Sequence, residues 1–568
     1  MKLLRTIFNS RAWWIFALAV LFVVNSAGYQ WHSRIDLTAE RRFTISQSTK
    51  KVLHNLKAPS RVDVFLKGSF PSGFRKLASS TDDMLRIFRE TANGRMQINF
   101  ISPEDEIPGA GGRLYADTLD AMGLVPINLT SQLKEGQQQQ FVYPYALITY
   151  NEKTLPVVLY DGSSRIISQQ ELNSAEAMLE YQFAETFAKL QSTQKSVIGY
   201  AVGNGEPMDV SVYDLVENVL KNDYNLATIN LEQQPVIPAE MAAMIVVKPT
   251  KTFSDDEKLK IDQYVMKGGK LLWFVDRLEA EMDSLQIKNE VVAYDRGLGL
   301  NDLFFRYGAR VNADLVMDLQ CDYLPFDVNG NGQFEFLPWN YFPVLESPEN
   351  HPINKGLGYV SSRFINSIDT VEAEGIKKTI LLTSSSNART IATPALISGR
   401  ENVNASEDEK FRKQHVPVAV LLEGRFRSLY ANRLSQAKRD SLLSYNLPFQ
   451  PEGIKNNKMI IVADGDMVLN GIKDRNPIPM GMNSYTYGSQ REFPFANKSF
   501  LKNSLSYLID PFDLSEAKGK DYMIRLLDTK KVNAEKTKWQ IVNLILPGLI
   551  VILFAFIFQW IRKQRFAK

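Results

Sequence analysis

Each end of this chain carries an apolar run long enough to cross a bilayer, and the polar stretch between them must fold outside lipid. Residues 12–31 (AWWIFALAVLFVVNSAGYQW) follow Lys2, Arg5 and Arg11; residues 539–561 (WQIVNLILPGLIVILFAFIFQWI) precede Arg562, Lys563, Arg565 and Lys568. A helix of about 20 residues spans the hydrocarbon core. Tryptophans near both ends of each run suit the membrane–water interface, and Lys/Arg-rich flanks stay in the cytoplasm. The pattern predicts cytoplasmic tails at 1–11 and 562–568, transmembrane helices over 12–31 and 539–561, and an extracytoplasmic region over 32–538. Ser26-Ala27-Gly28 leaves a cleaved signal peptide as the alternative for the first run, although Asn25 fits poorly three positions before such a cut. Pro547-Gly548 is tolerated in a membrane helix. Lysines 530, 531, 536 and 538 oppose this orientation, but long translocated regions escape the charge rule.

With 568 residues and 45% hydrophobic content, the chain can build two to four packed domains, about 150 residues each. The net charge is +3, and the seven Lys/Arg of the two tails leave the remainder at −4. A slightly acidic ectodomain is a poor partner for nucleic acid. One cysteine, Cys321, excludes an intrachain disulfide framework and a thiolate zinc cluster. A disulfide-free extracytoplasmic region of this size points to a bacterial envelope.

The first α/β domain is expected over 32–194. After an extended exit from the membrane, Thr44-Ile45-Ser46 opens a short helix with Ser46 as N-cap. Alternation at Arg61–Leu66 predicts a strand, 77–91 a helix and 96–101 a second strand. A Gly/Pro-rich loop and the Gln137–Gln140 run precede strands at 146–150 and 155–159, and the amphipathic stretch 174–190 closes the domain. A second α/β domain is expected over 195–538. Its strands at 196–202, 227–231, 244–247 and 271–275 alternate with helices at 212–222 and after a cap near Ser254, which predicts a mostly parallel sheet covered on both faces. Residues 280–375 read as an irregular, aromatic-rich insertion. Strands resume at 379–383, 416–422 and 458–463, and 401–413 and 437–455 read as polar, mobile segments.

Two strand ends carry candidate ligand or interaction loops. Gly203-Asn204-Gly205-Glu206-Pro207 follows a strand where open α/β sheets collect ligands, but it is neither a P-loop nor a GxGxxG motif. A tight turn using glycine at positive φ is the plainer reading. Asp464-Gly465-Asp466 ends another strand; two carboxylates there suit a divalent cation or acid/base work, or a turn with Asp466 capping the next helix. Asp327-Val-Asn329-Gly-Asn331-Gly332 begins like a calcium loop, with Glu335 as a further oxygen, but Pro338 occupies the position that requires Glu. The four histidines, His32, His54, His351 and His415, form no spaced cluster. Neither a metal site nor a cofactor is therefore assigned, and no nucleophile elbow occurs. Asn25 and Asn543 fall at similar depths in their spans and are candidate intramembrane contacts. Arg34, Asp36, Leu37 and Thr38, next to the membrane, are candidates for a coupling collar.

RIDLTAERRFTIS after the first span, AVGNGEP, VVKPTKTFSDDEKLKIDQYVMKGGKLLWFVD, ADGDMVLN and the C-terminal span together resemble the gliding-motility-associated ABC-transporter auxiliary, or substrate-binding-like, family (GldG). Residues 195–280 also resemble class I glutamine-amidotransferase-like domains. Cys321, in LQCDYL, lacks the elbow context such enzymes use, which implies a catalytically silent domain. The family resemblance implies a Bacteroidetes-type inner-membrane protein with its bulk in the periplasm, working with a GldA-like ATPase subunit and a GldF-like permease subunit. No Walker A sequence occurs in this chain, so the implied role is a non-catalytic transducer. An envelope solute or glycan receptor, stacking sugars on Trp339-Asn340-Tyr341-Phe342, and an envelope hydrolase using Asp464 and Asp466 are the alternatives.

Overall fold

The computed structural model describes residues 44–566 apart from 69, 71, 110, 125, 134–135, 161–168, 193, 283–284, 286–289, 328–330, 349–350, 399–408, 446–447, 511 and 519–528; before residue 44 it describes 18–19, 21–23, 25–26 and 36. The predicted span 12–31, and Arg34, Leu37 and Thr38, thus lie wholly or largely outside the described residues. The described parts form a mixed α/β body and, as a separate unit, a C-terminal helix.

The N-terminal layer begins with α1 (Gln47–His54), whose N-cap is Ser46 as expected: its side chain accepts from Thr49 N. Then come β1 (Ser60–Val64), α2 (Ser72–Thr91), β2 (Met96–Phe100), β3 (Tyr145–Tyr150), β4 (Lys153–Val158) and α3 (Gln169–Gln191). The sheet order is β2-β1-β3-β4, with β1 and β2 parallel and the others antiparallel. Its core joins Val62 and Ile148 of the sheet to Leu77, Leu85 and Phe88 of α2 and to Phe183 and Phe187 of α3. The glutamine run pairs with 127–133 as a hairpin.

The larger layer contains β5 (Val197–Val202), β6 (Asn225–Asn230), β7 (Met241–Val247), α4 (Asp255–Met266), β8 (Lys270–Phe274), β9 (Ile376–Thr383), β10 (Pro417–Gly424), β11 (Asn457–Val462) and α5 (Asn497–Ile509). Seven strands lie in the order β9-β10-β11-β8-β7-β5-β6. The run β11-β8-β7-β5-β6 is parallel throughout, and β9 and β10 add an antiparallel edge. Alternation along each strand fills two cores: Ile245, Leu272 and Ile460 meet the helix after β5 and Phe500, Leu501 and Leu505 of α5 on one face. Met244, Trp273 and Ile461 meet Ile261 and Val265 of α4 on the other. The helix predicted over 212–222 carries a π-helical turn at Val216–Leu220. Around α4 the sequence reading holds closely. Ser254 and Glu257 form a reciprocal capping box, and Gly268 turns the chain at φ +93°.

One expectation fails in part. Residues 280–375 leave the large sheet after β8 and return to it at β9, but they are not irregular. Their helix Asn301–Tyr307 seats Leu303, Phe304 and Tyr307 in the second core of the large sheet. Short strands, among them Glu335–Leu345, enclose a further core in which Trp339, Tyr341 and Phe342 are at most 2% exposed. Burial of three aromatic side chains removes them as a sugar-stacking surface and explains the aromatic composition by packing. The polar stretch 437–455 is in part helical: Gln436–Ser444 forms a helix with Ser435 as its N-cap and no buried residue.

After α5, the short helix α6 (Ser515–Lys518) returns to the N-terminal layer, where Leu514 and Ala517 enter its core. The C-terminal unit is α7 (Thr529–Phe566), longer than the predicted 539–561. Within it, Glu535–Gln564 is long and apolar enough to cross a membrane, the one such helix among the described residues.

Candidate functional site

Three apolar strands of the large sheet end in a charged residue on the same edge, and their pairing fixes the outcome. Phe274 of β8 lies between Val247 of β7 and Val462 of β11. The residues just beyond, Lys248, Asp276 and Asp464, are therefore forced together at the carboxyl ends of the strands. Lys248 turns off its strand at φ +43°, an unfavourable conformation for a side chain with a Cβ.

The Lys248 ammonium lies 2.7 Å from Asp466 Oδ1, 2.9 Å from Glu281 Oε2 and 3.7 Å from Asp276 Oδ2. Arg296 donates to the other oxygen of Glu281 at 2.7 Å. Asp276 Oδ1 accepts from Gly465 N at 2.5 Å. Asp464 is fully buried. Its Oδ1 accepts from Asp466 N and Met467 N, and its Oδ2 from Arg363 N at 2.9 Å. Asp464, rather than Asp466 as the sequence suggested, thus caps the helical turn Asp466–Val468. Asp276, Asp464 and Asp466 each place an oxygen within 4.8 Å of the other two. That spacing would suit a divalent cation, but the ammonium of Lys248 already supplies the positive charge.

Burial pushes the Asp276 carboxyl up to about 7; Lys248 opposes the rise, and Asp466 adds to it. Burial, and then Asp276 and Asp466, hold the Asp464 carboxyl well above the carboxylate range. Lys248 is driven the other way from what burial alone would do, because Asp466, Asp276 and Glu281 together hold its proton. The folded protein therefore keeps carboxyl protons that an unfolded chain releases near 4. The stability they contribute is complete below that pH and is lost as pH rises through about 7. Denaturant unfolding measured between pH 5 and 8 should show falling stability, and Asp276→Asn should flatten the slope. An unchanged slope in that variant would place the titrating group elsewhere.

The second loop closes the crevice between β5 and β7, where the order of the parallel strands reverses. Gly203 and Gly205 have φ of +119° and +82°. A Cβ on Gly205 would lie 2.0 Å from Thr250 Oγ1. Asn204 O accepts from Thr250 N and Lys251 N, Glu206 accepts from Asn204 N, and Asn204 Nδ2 donates to Glu257 of the capping box. The loop is thus stitched to the segment after β7. Burial raises the Glu206 carboxyl above its ordinary value. Asn204 Oδ1 and Glu206 Oε1 are buried without a hydrogen-bond partner among the described residues.

Other candidates stay apart. Both carboxylate oxygens of Asp327 accept backbone N–H groups, of Asn331 and Gly332, as in a turn; Asn329 lies outside the described residues. Burial pushes the Cys321 thiol up, the opposite of what a nucleophile needs. His351 is driven down to about 4, first by burial. Asn25 donates to Leu21 O at 3.1 Å, Asn543 is exposed on α7, and Asp36 accepts from Thr44 Oγ1 at 3.0 Å. Sequence reasoning missed Lys248, Asp276 and Glu281. The signal was a recurring pattern, an apolar strand followed at once by charge in VVK, WFVD and VADGD.

A family model described as an ABC-type uncharacterized transport system matches residues 195–504. That range contains the whole large sheet and the Lys248 cluster. A second model, described as a domain of unknown function, matches residues 39–149. No curated protein matches the chain. Among solved structures, the mmIFT52 N-terminal domain aligns at 14% identity over 55% of this chain and 97% of its own, with a TM-score of 0.31. The exo-beta-1,4-mannosidase Op5Man5 from Opitutaceae bacterium strain TAV5 aligns at 13% identity over 72% of this chain and 47% of its own, with a TM-score of 0.21. Likeness of that degree does not establish a common fold.

Proposed function

The chain belongs to the ABC-type uncharacterized transport system family, and from that premise we propose that it is the non-catalytic transducing subunit of its transporter. It is an auxiliary component of an ABC-type transport system, and its apolar C-terminal helix associates it with the membrane. The finer reading is of a GldG-type subunit of a gliding-motility system in the bacterial inner membrane. In it both termini are cytoplasmic, and two periplasmic α/β domains meet near residue 195, the second of them glutamine-amidotransferase-like and silent. The partners are a GldA-like ATPase and a GldF-like permease. The sequence motifs of the first and second layers support it. The hydrolase alternative is less favoured, since both oxygens of Asp464 accept backbone amides and Asp466 Oδ1 pairs with Lys248.

The observation that supports the transducer reading is that both ends of the globular body fasten to one helix, α3. At the N-terminal end, Glu180 Oε1 accepts from Ser46 N at 2.6 Å and from Thr49 Oγ1 at 2.8 Å. At the C-terminal end, the Lys518 ammonium sits 4.9 Å over the Tyr181 ring and donates to Asn503 Oδ1 at 2.7 Å. From α3 the path continues into the large sheet: Tyr181 and Glu185 bond Ser506 of α5 at 2.7 and 3.0 Å, and α5 packs across that sheet. A displacement of either tether therefore loads the same helix, and through it the large sheet. Coupling requires these contacts to differ between nucleotide states. Purifying the full chain in detergent should recover an ABC ATPase and a permease, with ATP turnover in the complex. Recovery of the chain without either subunit would overturn the reading.

A further inference from the structure

The two fastenings on α3 differ in strength. The N-terminal one is a full helix: α1 sinks Val52 and Leu53 into the core of the first layer, with Ile45 and Leu56 on either side of them. Glu180 holds its first turn through two hydrogen bonds. The C-terminal fastening is the single turn α6. One isolated turn is unstable, because fixing its backbone costs more entropy than its few hydrogen bonds offset. Its backbone bonds run inward, from Ala517 N and Lys518 N to Leu514 O. Among the described residues no backbone hydrogen bond joins it to α3. Its described anchors are three buried side chains, Leu514, Ala517 and Lys518.

Lys518 is the anchor that works against docking. It is 3% exposed, yet among the described residues no carboxylate forms an ion pair with it. Its ammonium has the Asn503 Oδ1 acceptor and the Tyr181 ring. Glu185 of α3 and Asp510, just past α5, attract it only from further away. Glu185 is moreover already engaged, by Lys189 at 3.4 Å and by the Ser506 hydroxyl at 3.0 Å. His351 is a further titratable group that faces the ammonium. A buried ammonium without a carboxylate partner is unfavourable. Burial accordingly pushes Lys518 down to about 8, against the pull of Glu185 and Asp510. Two apolar side chains therefore hold the turn down while its charge favours release.

We propose that Leu514–Lys518 is a releasable strap, which peels from α3 as a unit while α1 stays fastened, and so loosens the C-terminal end of the globular body alone. The strap takes its purpose from the transducer reading, on which that purpose rests. It opens or stays shut in the isolated chain, however, whichever subunits co-purify, so the two can fail separately.

The test is hydrogen exchange on the full chain in detergent, with rates corrected for their intrinsic pH dependence. The amides of 517 and 518 should be protected less than those of α1, by about tenfold or more. Their protection should rise by about tenfold from pH 7 to pH 9. The sign follows from linkage: the released side chain keeps its proton to about 10.5 and the docked one only to about 8, so docking strengthens as protons are withdrawn. Burial keeps Tyr181 well above that window and puts His351 near 4, and Lys189 lowers Glu185 against its burial. Lys518→Met, which keeps the stem's bulk, should abolish the pH dependence. Leu514→Ala should lower protection at 517 and 518 by about tenfold or more, with 46–54 and the large sheet unchanged. Wild-type protection equal to that of α1 or independent of pH would overturn the proposal. So would a pH dependence that persists in Lys518→Met, or a loss in Leu514→Ala that spreads to α1 and the large sheet.

Discussion

Lys248→Met should cost about 3–5 kcal/mol of stability at pH 7, the range expected when one partner of a buried ion cluster is removed. The Lys248 side chain is 11% exposed and is the ammonium shared by Asp466, Glu281 and Asp276. Methionine keeps most of the stem's volume and meets the same backbone strain at φ +43°, so the change isolates the charge. Without the ammonium, the crowded carboxylates must take up further protons. The loss should therefore shrink as pH falls toward 5. Adding Asp466→Asn should recover part of it, because one unpaired charge is removed with its repulsion. Denaturant unfolding of the four species of this cycle would measure the coupling. A loss below about 1 kcal/mol for Lys248→Met would mean that solvent screens the cluster as it does surface pairs.

Glu180→Ala should release α1 from α3, at a cost of about 2–4 kcal/mol, since hydrogen bonds to charged groups contribute roughly 1.5–3 kcal/mol each. Glu180 is fully buried. Its loss leaves the Ser46 N–H without its 2.6 Å acceptor and removes the partner of the Thr49 hydroxyl, while the Ser46 cap on Thr49 N remains. Hydrogen exchange should accelerate over 46–54 more than in the large sheet. If α3 transmits load from the tethers, ATP turnover of the assembled transporter should change even where all subunits still co-purify. Faster exchange with unaltered turnover would confine Glu180 to a structural role and count against transmission through α3.

Both predictions concern groups that the sequence hid to different degrees. Ser46 was legible as an N-cap because a cap is decided within four residues; its buried acceptor, Glu180, lies 134 positions away. Asp464 and Asp466 were legible as a pair at a strand end. The cap was assigned to Asp466, whereas Asp464 makes it and Asp466 turns to Lys248, which arrives from another segment. The same limit produced the error over 280–375. Short strands and a helix of only seven residues leave too few turns of periodicity to read, and burial came from the sheet they pack against.

The sequence by itself determined what is local: the apolar C-terminal helix, the helix capped at Ser254, the glycine turns, and the alternation of strands and helices that implies a parallel sheet. Each depends on hydrogen bonds or apolar periodicity within one element, or between neighbours in the chain. Tertiary structure alone decided that β8 lies between β7 and β11, and that both ends of the globular body fasten to α3. Those choices depend on contacts between residues far apart in the chain. Their favourable energy appears only after closure of long loops, so no short stretch of sequence encodes them.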